Sequence, residues 1–232
     1  MNKPLATLAV FAALTAAVPA AAQYRAPSAS SFEPVEMTKN AKLDPSRDTA
    51  ASMQSYGKLI EHSECLVSRG HRAEGVLVDK PNSRSERSKT GLLRDRDRTC
   101  AMKGLENIHS LVRGSLAEVM YRRHFPQMPA MNVARAQAFI NAEKAFQAER
   151  EKNDQVMGTV MTCMVAVAPQ QAHAVLATKH GTPQEASAMD AFFVASQKCG
   201  ADATRPSNLS RSFIRAFVAD SAWRFGRALS GR

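Results

Sequence analysis

Five methionines are the residues of this chain whose spacing most resembles a ligand set. Met157, Met161 and Met164 follow one another at steps of four and three, as on one face of a helix, and Met128 and Met131 add another three-residue step. In an exported protein, clustered thioethers could hold Cu(I), which prefers soft ligands. The same spacing is typical of core packing, because methionine fills irregular gaps between aliphatic side chains. The sequence favours core packing, predicts no cofactor and leaves Cu(I) binding as an alternative.

Carboxylates and histidines offer a second kind of chemistry, general acid–base catalysis. Glu118, Asp220, His109 and His124 could meet in a groove between the two halves of the fold. No serine nucleophile elbow, zinc-type His-Glu-x-x-His pattern, phosphate-binding glycine loop or dinucleotide fingerprint occurs in the sequence. An enzyme therefore remains an alternative, and the sequence favours a non-enzymatic protein.

Uneven basic charge is the third candidate and the basis of the leading hypothesis. The formal net charge is +10, with segment 69–103 contributing +5 and the corresponding segment 167–202 contributing −1. Six arginines form the predicted anion-binding set, called here the basic surface: Arg69, Arg72, Arg84, Arg87, Arg94 and Arg98. We expect a binding or envelope-interaction protein whose partner is an anionic lipid, lipopolysaccharide, acidic glycan or acidic protein. Nucleic acid is disfavoured because aromatic residues, which stack on bases, make up only 6% of the chain.

The N-terminus predicts export. Lys3 precedes an apolar run over residues 5–18, and small residues precede Gln23, which is the pattern of a Sec signal peptide at 1–22. No later segment offers 18 consecutive apolar residues, so we expect no transmembrane helix after cleavage. Residues 23–45, which carry prolines and a serine cluster, are predicted to be a disordered leader. The expected location is the bacterial periplasm or the exterior.

An internal repeat predicts the elements that position these residues. Val76, Leu77, Lys80, Glu86, Ser88 and Cys100 recur 99 positions later as Val175, Leu176, Lys179, Glu185, Ser187 and Cys199. Residues 111–122 match 213–224 at an offset of 102. Strand-like alternation is absent, so we predict an all-α tandem duplication of a four-helix unit, about eight helices, with repeats at 46–125 and 126–232. One shared core and two separate cores both remain open.

Cysteine positions within the repeat select one disulfide pairing. Four cysteines allow three connectivities, and the duplication favours Cys65–Cys100 and Cys163–Cys199. Such bonds persist in exported proteins.

Capping signals predict where individual helices begin and end. Ser83-x-x-Glu86 and Thr182-x-x-Glu185 are capping boxes, so helices should begin near residues 84 and 183. Lysines 80 and 179 are expected in the last turn of the preceding short helices, facing the negative end of the helix dipole. The first helix of the second repeat is expected over about 132–168, with a possible break near residues 153–154.

The final helix, from about residue 208, carries a broad apolar face beside arginines. This composition suits either burial, which the repeat favours, or contact with a membrane surface. Two acid–arginine steps, Glu118 to Arg122 and Asp220 to Arg224, are predicted to pair along their helices and, if buried, to position the two repeats against each other.

Overall fold

The protein is described by a computed structural model that covers residues 48–71, 73–96, 100, 109–128, 132–200 and 209–231. The predicted signal peptide and leader lie outside these ranges, as do Arg72, Arg98, Met131 and the side chain of Arg94. Nine α-helices and no strand occur within the described residues, which confirms the all-α prediction. The helices are α1 (Ala50–Ser68), α2 (Glu74–Val78), α3 (Arg84–Arg96), α4 (His109–His124), α5 (Val133–Gln147), α6 (Lys152–Val167), α7 (Pro169–Ala177), α8 (Pro183–Ala195) and α9 (Arg211–Ser230).

Helices α4 and α9 pack against each other at the centre of the fold, in its most extensive helix–helix contact. Residues 111–121 of α4 and 212–223 of α9 are buried all round, as expected of helices enclosed on every side. Their backbones meet at Gly114, where an added Cβ would lie 2.6 Å from the Cα of Ala216. The other helices surround this pair, and the buried apolar residues of both halves form one continuous core.

The two halves present helices in the same order, α1–α4 and α6–α9. Both predicted disulfides are formed: Cys65 of α1 bonds Cys100, and Cys163 of α6 bonds Cys199. The long helix predicted over 132–168 is instead two helices, α5 and α6, separated at residues 148–151. Helix α6 carries the cysteine that corresponds to that of α1, and α5 has no counterpart in the first half. The duplication and its boundaries at 46–125 and 126–232 stay predictions.

Helices α3 and α8 begin where their capping boxes predict. The hydroxyls of Ser83 and Thr182 accept the amides of Glu86 and Glu185 at 3.1 and 3.3 Å. Each glutamate in turn accepts, at 2.7 Å, the amide of the residue that precedes the cap. This return bond holds both carboxylates against the start of their own helix, where they meet the arginines described below.

The lysines expected to face the dipoles of the short helices do not do so. Helix α2 ends at Val78 and α7 at Ala177, so Lys80 and Lys179 lie beyond the last turns. Lys80 instead forms an exposed ion pair with Glu149 at 2.8 Å. That prediction was wrong because buried arginines from α4 and α9 bind the carbonyls at both helix ends.

Over the described ranges, none of the helices taken singly is long and apolar enough to cross a membrane. The segments Asp154–Val167 and Pro169–Ala177 meet the length and composition of a span only together, and they are bent by 105°. The apolar face of α9, which suited either burial or a membrane surface, packs on α4, α6 and α7.

Candidate functional site

Arg113 of α4 is fully buried and uses its whole guanidinium fork. Its Nε donates to the carboxylate of Asp220 on α9 at 3.0 Å, and its Nη1 donates to Glu86 at 3.0 Å. Nη1 and Nη2 also donate to the carbonyls of Val76 and Leu77 at 2.9 and 2.7 Å. Arg113 therefore joins the other central helix, the start of α3 and the end of α2.

Arg215 of α9 repeats this arrangement 102 positions later. It makes two bonds to Glu118 of α4, at 2.9 and 2.8 Å, and one to Glu185 at 3.0 Å. It also donates to the carbonyls of Val175 and Thr178, at 2.9 and 2.8 Å. Each arginine thus binds the acid of the opposite central helix, the capping glutamate of its own half and the end of its own short helix.

Burial and neighbouring positive charge shift the pKa values of two carboxylates of this network, Glu185 and Asp220, in opposite directions. Burial alone would raise the pKa of Glu185, but the hydrogen bond and charge of His180 and the charge of Arg215 lower it to about 2. The pKa of Asp220 would likewise rise on burial, and the positive charges of Arg113 and Arg150 hold it below its usual value. These carboxylates are therefore ionised and fully engaged at neutral pH.

The structure does not bring the four proposed acid–base residues into a cleft. Glu118 and Asp220 are 0% and 2% exposed and lie inside the arginine network. His109 instead bonds the capping Glu86 at 2.6 Å, and the ring of His124 lies 5.5 Å from that of Trp223. The carboxylates act here as structural partners of arginine.

Sequence reasoning found part of this network and missed the rest. Glu118 pairs with Arg122 along α4, as predicted. Arg224 does not bond Asp220 but donates to Glu143 of α5 at 2.7 Å. The second carboxylate oxygen of Asp220 pairs instead with Arg150. Arg113 and Arg215 carried a signal, because they are identical residues at equal positions in the two matching windows. Arg150 and Glu143 belong to the α5 region, which has no repeat to reveal it.

Three of the five methionines lie in the core. Met157, Met161 and Met164 are buried in α6 among apolar residues, and Met128 accepts a hydrogen bond from the Tyr121 hydroxyl at 3.0 Å. In the described part of the chain, no group of three or more His, Cys, Asp or Glu residues is placed to hold a metal.

Three members of the basic surface are described, and all are exposed: Arg69, Arg84 and Arg87. Among the described residues, the buried charged side chains are mostly acidic, since five buried acids accompany three buried arginines. The acids are Glu86, Glu118, Glu143, Glu185 and Asp220, and the arginines are Arg113, Arg150 and Arg215. Because folding withdraws more negative than positive charge among the described residues, the exposed part of these residues is more basic than their total charge indicates.

A groove of about 640 Å³ runs between α5 and α9 and reaches the end of α2. Its apolar lining includes Phe139 and Trp223, and its cationic lining includes Arg135, Arg224 and Arg227. The single acid in the lining, Glu143, is held by Arg224. This volume lies within the range of small-molecule sites, roughly 300–1,000 Å³.

Comparison with protein-family models, with curated proteins and with solved structures gave no match for this chain. Its function is therefore inferred from the basic surface and the groove alone.

Proposed function

We propose that the protein is exported after removal of residues 1–22 and acts as a non-enzymatic binding protein of the cell envelope. Its basic surface meets an anionic lipid, lipopolysaccharide or acidic glycan. The observation that carries this proposal is the unequal burial of charge, which raises the excess of positive over negative charge on the exposed part of the described residues. Two disulfides agree with export, because such bonds persist in oxidising compartments.

Arg84 and Arg87 supply the clearest part of this surface. Both lie in the first turns of α3, both are exposed, and neither pairs with a carboxylate among the described residues. The nearby lysine at position 89 is neutralised by Asp79 at 2.7 Å, so Arg84 and Arg87 carry the unpaired positive charge among the described side chains of this helix. Exposed arginines without acid partners can exchange water for lipid phosphates or glycan carboxylates, which guanidinium groups bind in pairs of hydrogen bonds.

Vesicle binding tests the proposal. We expect the mature protein to bind vesicles rich in phosphatidylglycerol and to lose affinity as salt rises, because screening weakens exposed charges. Each arginine near an anionic surface contributes about 1 kcal/mol. Replacing Arg69, Arg84 and Arg87 with glutamine should therefore weaken binding roughly 100-fold.

The matched control removes the same charge from the other half. Lys152, Lys179 and Lys198 are exposed, and their replacement with glutamine should change vesicle affinity much less. Equal losses in the two triple variants would show that only net charge matters and would contradict a defined basic surface. N-terminal sequencing of the secreted protein tests export, which requires a mature chain that begins near Gln23.

A further inference from the structure

The groove between α5 and α9 carries charged residues at both ends, and the end at Arg135 is called here the polar end. At one end, Arg135 of α5 donates to the carbonyl of Leu229 at 3.4 Å, so the start of α5 faces the end of α9. At the other end, Glu143 and Arg224 form an ion pair, and Leu77 of α2 contributes to the lining. The distance along α5 from residue 135 to 143 is about 12 Å.

The middle of the groove is apolar, and small side chains that line it leave space for a ligand. Ala138 and Ala142 of α5 and Ala228 of α9 are exposed and leave space above the buried rings of Phe139 and Trp223. Exposed alanines over buried aromatic rings form a channel that a narrow hydrocarbon chain fits and that excludes bulky groups.

Two cations at the polar end have no acid partner. Neither Arg135 nor Arg227 contacts a carboxylate in the part of the chain that the structure describes. Among the described residues, the Arg135 side chain bonds only the Leu229 carbonyl, and the guanidinium of Arg227 lies 5.6 Å from the centre of the Trp223 ring. The helix ends beside them are already satisfied, since Asn132 accepts the first amides of α5 and the Gly231 amide caps α9. The two arginines therefore have no carboxylate counterpart in the described part of the chain, and an external anion would complement them.

Trp223 lines the same groove with part of its ring. The indole is 2% exposed, and its buried Nε1 has no acceptor within the described residues. Because Nε1 is itself buried, it is not accessible from the groove, and Trp223 contributes to the groove as part of its apolar lining.

We propose that this groove binds a medium-chain fatty-acid carboxylate, with the carboxylate between Arg135 and Arg227 and the chain directed along the alanines towards α2. Charge complementarity selects an anionic head, and the apolar channel selects a hydrocarbon tail. The length of about 12 Å selects a chain near that of decanoate rather than of a long membrane lipid. This site uses residues separate from the basic surface and does not depend on the proposed function.

Fluorescence titration with decanoate tests the site directly, because Trp223 is the only tryptophan in the chain. We expect a saturable change in Trp223 emission below the critical micelle concentration, with matching heat in calorimetry. Replacing Arg135 and Arg227 with glutamine should weaken binding at least 10-fold. Decyltrimethylammonium, which has the same tail and the opposite charge, should not bind.

Two further variants distinguish loss of the binding site from loss of the fold. Ala138→Phe fills the groove at an exposed position and leaves both arginines in place, so it should abolish decanoate binding while the circular dichroism spectrum stays unchanged. Arg84→Gln with Arg87→Gln should lower vesicle binding but leave decanoate binding intact.

The proposal is overturned if decanoate gives no saturable signal with the folded protein. It is also overturned if the Arg135/Arg227 variant binds decanoate as tightly as the wild type does. The same holds if the wild type binds decyltrimethylammonium as tightly as decanoate. A fluorescence change that follows protein concentration and not decanoate would place a second copy of the chain in the groove, which also overturns it.

Discussion

Gly114 is the residue at which the contact between α4 and α9 can be tested most sharply, by the substitution Gly114→Ala. A Cβ at this position would lie 2.6 Å from the Cα and 2.8 Å from the carbonyl oxygen of Ala216. Nonbonded carbon atoms prefer about 3.5–4.0 Å, so the new methyl would overlap the facing backbone by about 1 Å. Because backbone atoms cannot rotate away, the two central helices would have to separate.

The expected cost follows from overpacking. Extra methyl groups in a well-packed core cost about 1–3 kcal/mol. For a chain of this size each kcal/mol corresponds to about 2–4 °C, so the Tm of Gly114→Ala should fall by about 2–12 °C. Thermal unfolding followed by circular dichroism measures this shift.

Gly57→Ala is the matched control. Gly57 also lies inside a helix, α1, but a Cβ there would meet no atom within 4 Å. Alanine should therefore stabilise α1 by about 0.5–1 kcal/mol through its better helix propensity. In the double variant Gly114→Ala with Ala216→Gly, we expect only partial rescue, because the overlap with backbone atoms persists. If Gly114→Ala and Gly57→Ala shift the Tm in the same direction, the close approach of α4 and α9 is refuted.

Two further predictions concern the capping glutamates and the residues before them. The pKa of Glu185 in the folded protein, about 2, lies below its unfolded value near 4.5, so its contribution is complete above pH 5 and is lost as pH falls towards 2. The free energy of unfolding, measured with denaturant, should therefore drop between pH 5 and 2 by about 3 kcal/mol more in wild type than in Glu185→Gln; parallel pH curves would contradict this role. Asn82 has a φ of 60°, the left-handed region that Gly181 occupies at the corresponding position with a φ of 79°. Asn82→Gly should preserve or raise the Tm and Asn82→Ala should lower it by a few degrees, whereas equal Tm values would show that the backbone at this turn is not constrained.

The local structure of this fold was predictable to the extent that the sequence repeats. The absence of strand-like alternation indicated the all-helical class. Paired signals indicated both disulfides and the starts of α3 and α8, because two copies of a capping box or a cysteine are more specific than one. The arginines at 113 and 215 were repeated as well. Their role was not predictable, because an arginine in an apolar helix is compatible with either surface exposure or burial, and only tertiary packing decides which.

The groove could not be predicted because it depends on a segment without a repeat. Helix α5 mixes nine apolar residues with six polar ones, and nothing in its sequence indicates that Glu143 reaches Arg224 or that Ala138 faces a channel. The basic surface was visible as a charge imbalance. The excess of buried acids over buried arginines was not visible in the sequence. Burial of Glu118 and Asp220 follows from the way the acids of α4 and α9 pair with the arginines of the other helix.

Each central helix supplies an arginine that pairs with an acid of the other central helix, and this crossed pairing makes the two halves dependent on each other. Arg113 needs Asp220 from the second half, and Arg215 needs Glu118 from the first. A separated half would leave a buried arginine and a buried acid unpaired, and removing one partner of such a pair costs about 3–5 kcal/mol. The repeated residues are thus engaged in holding one core together, and few of them are available for a ligand. The surfaces on which the halves differ are the exposed arginines of the first half and the helix α5 that precedes the second. The proposed basic surface lies there, and so does the α5 wall of the groove, whose other wall is α9.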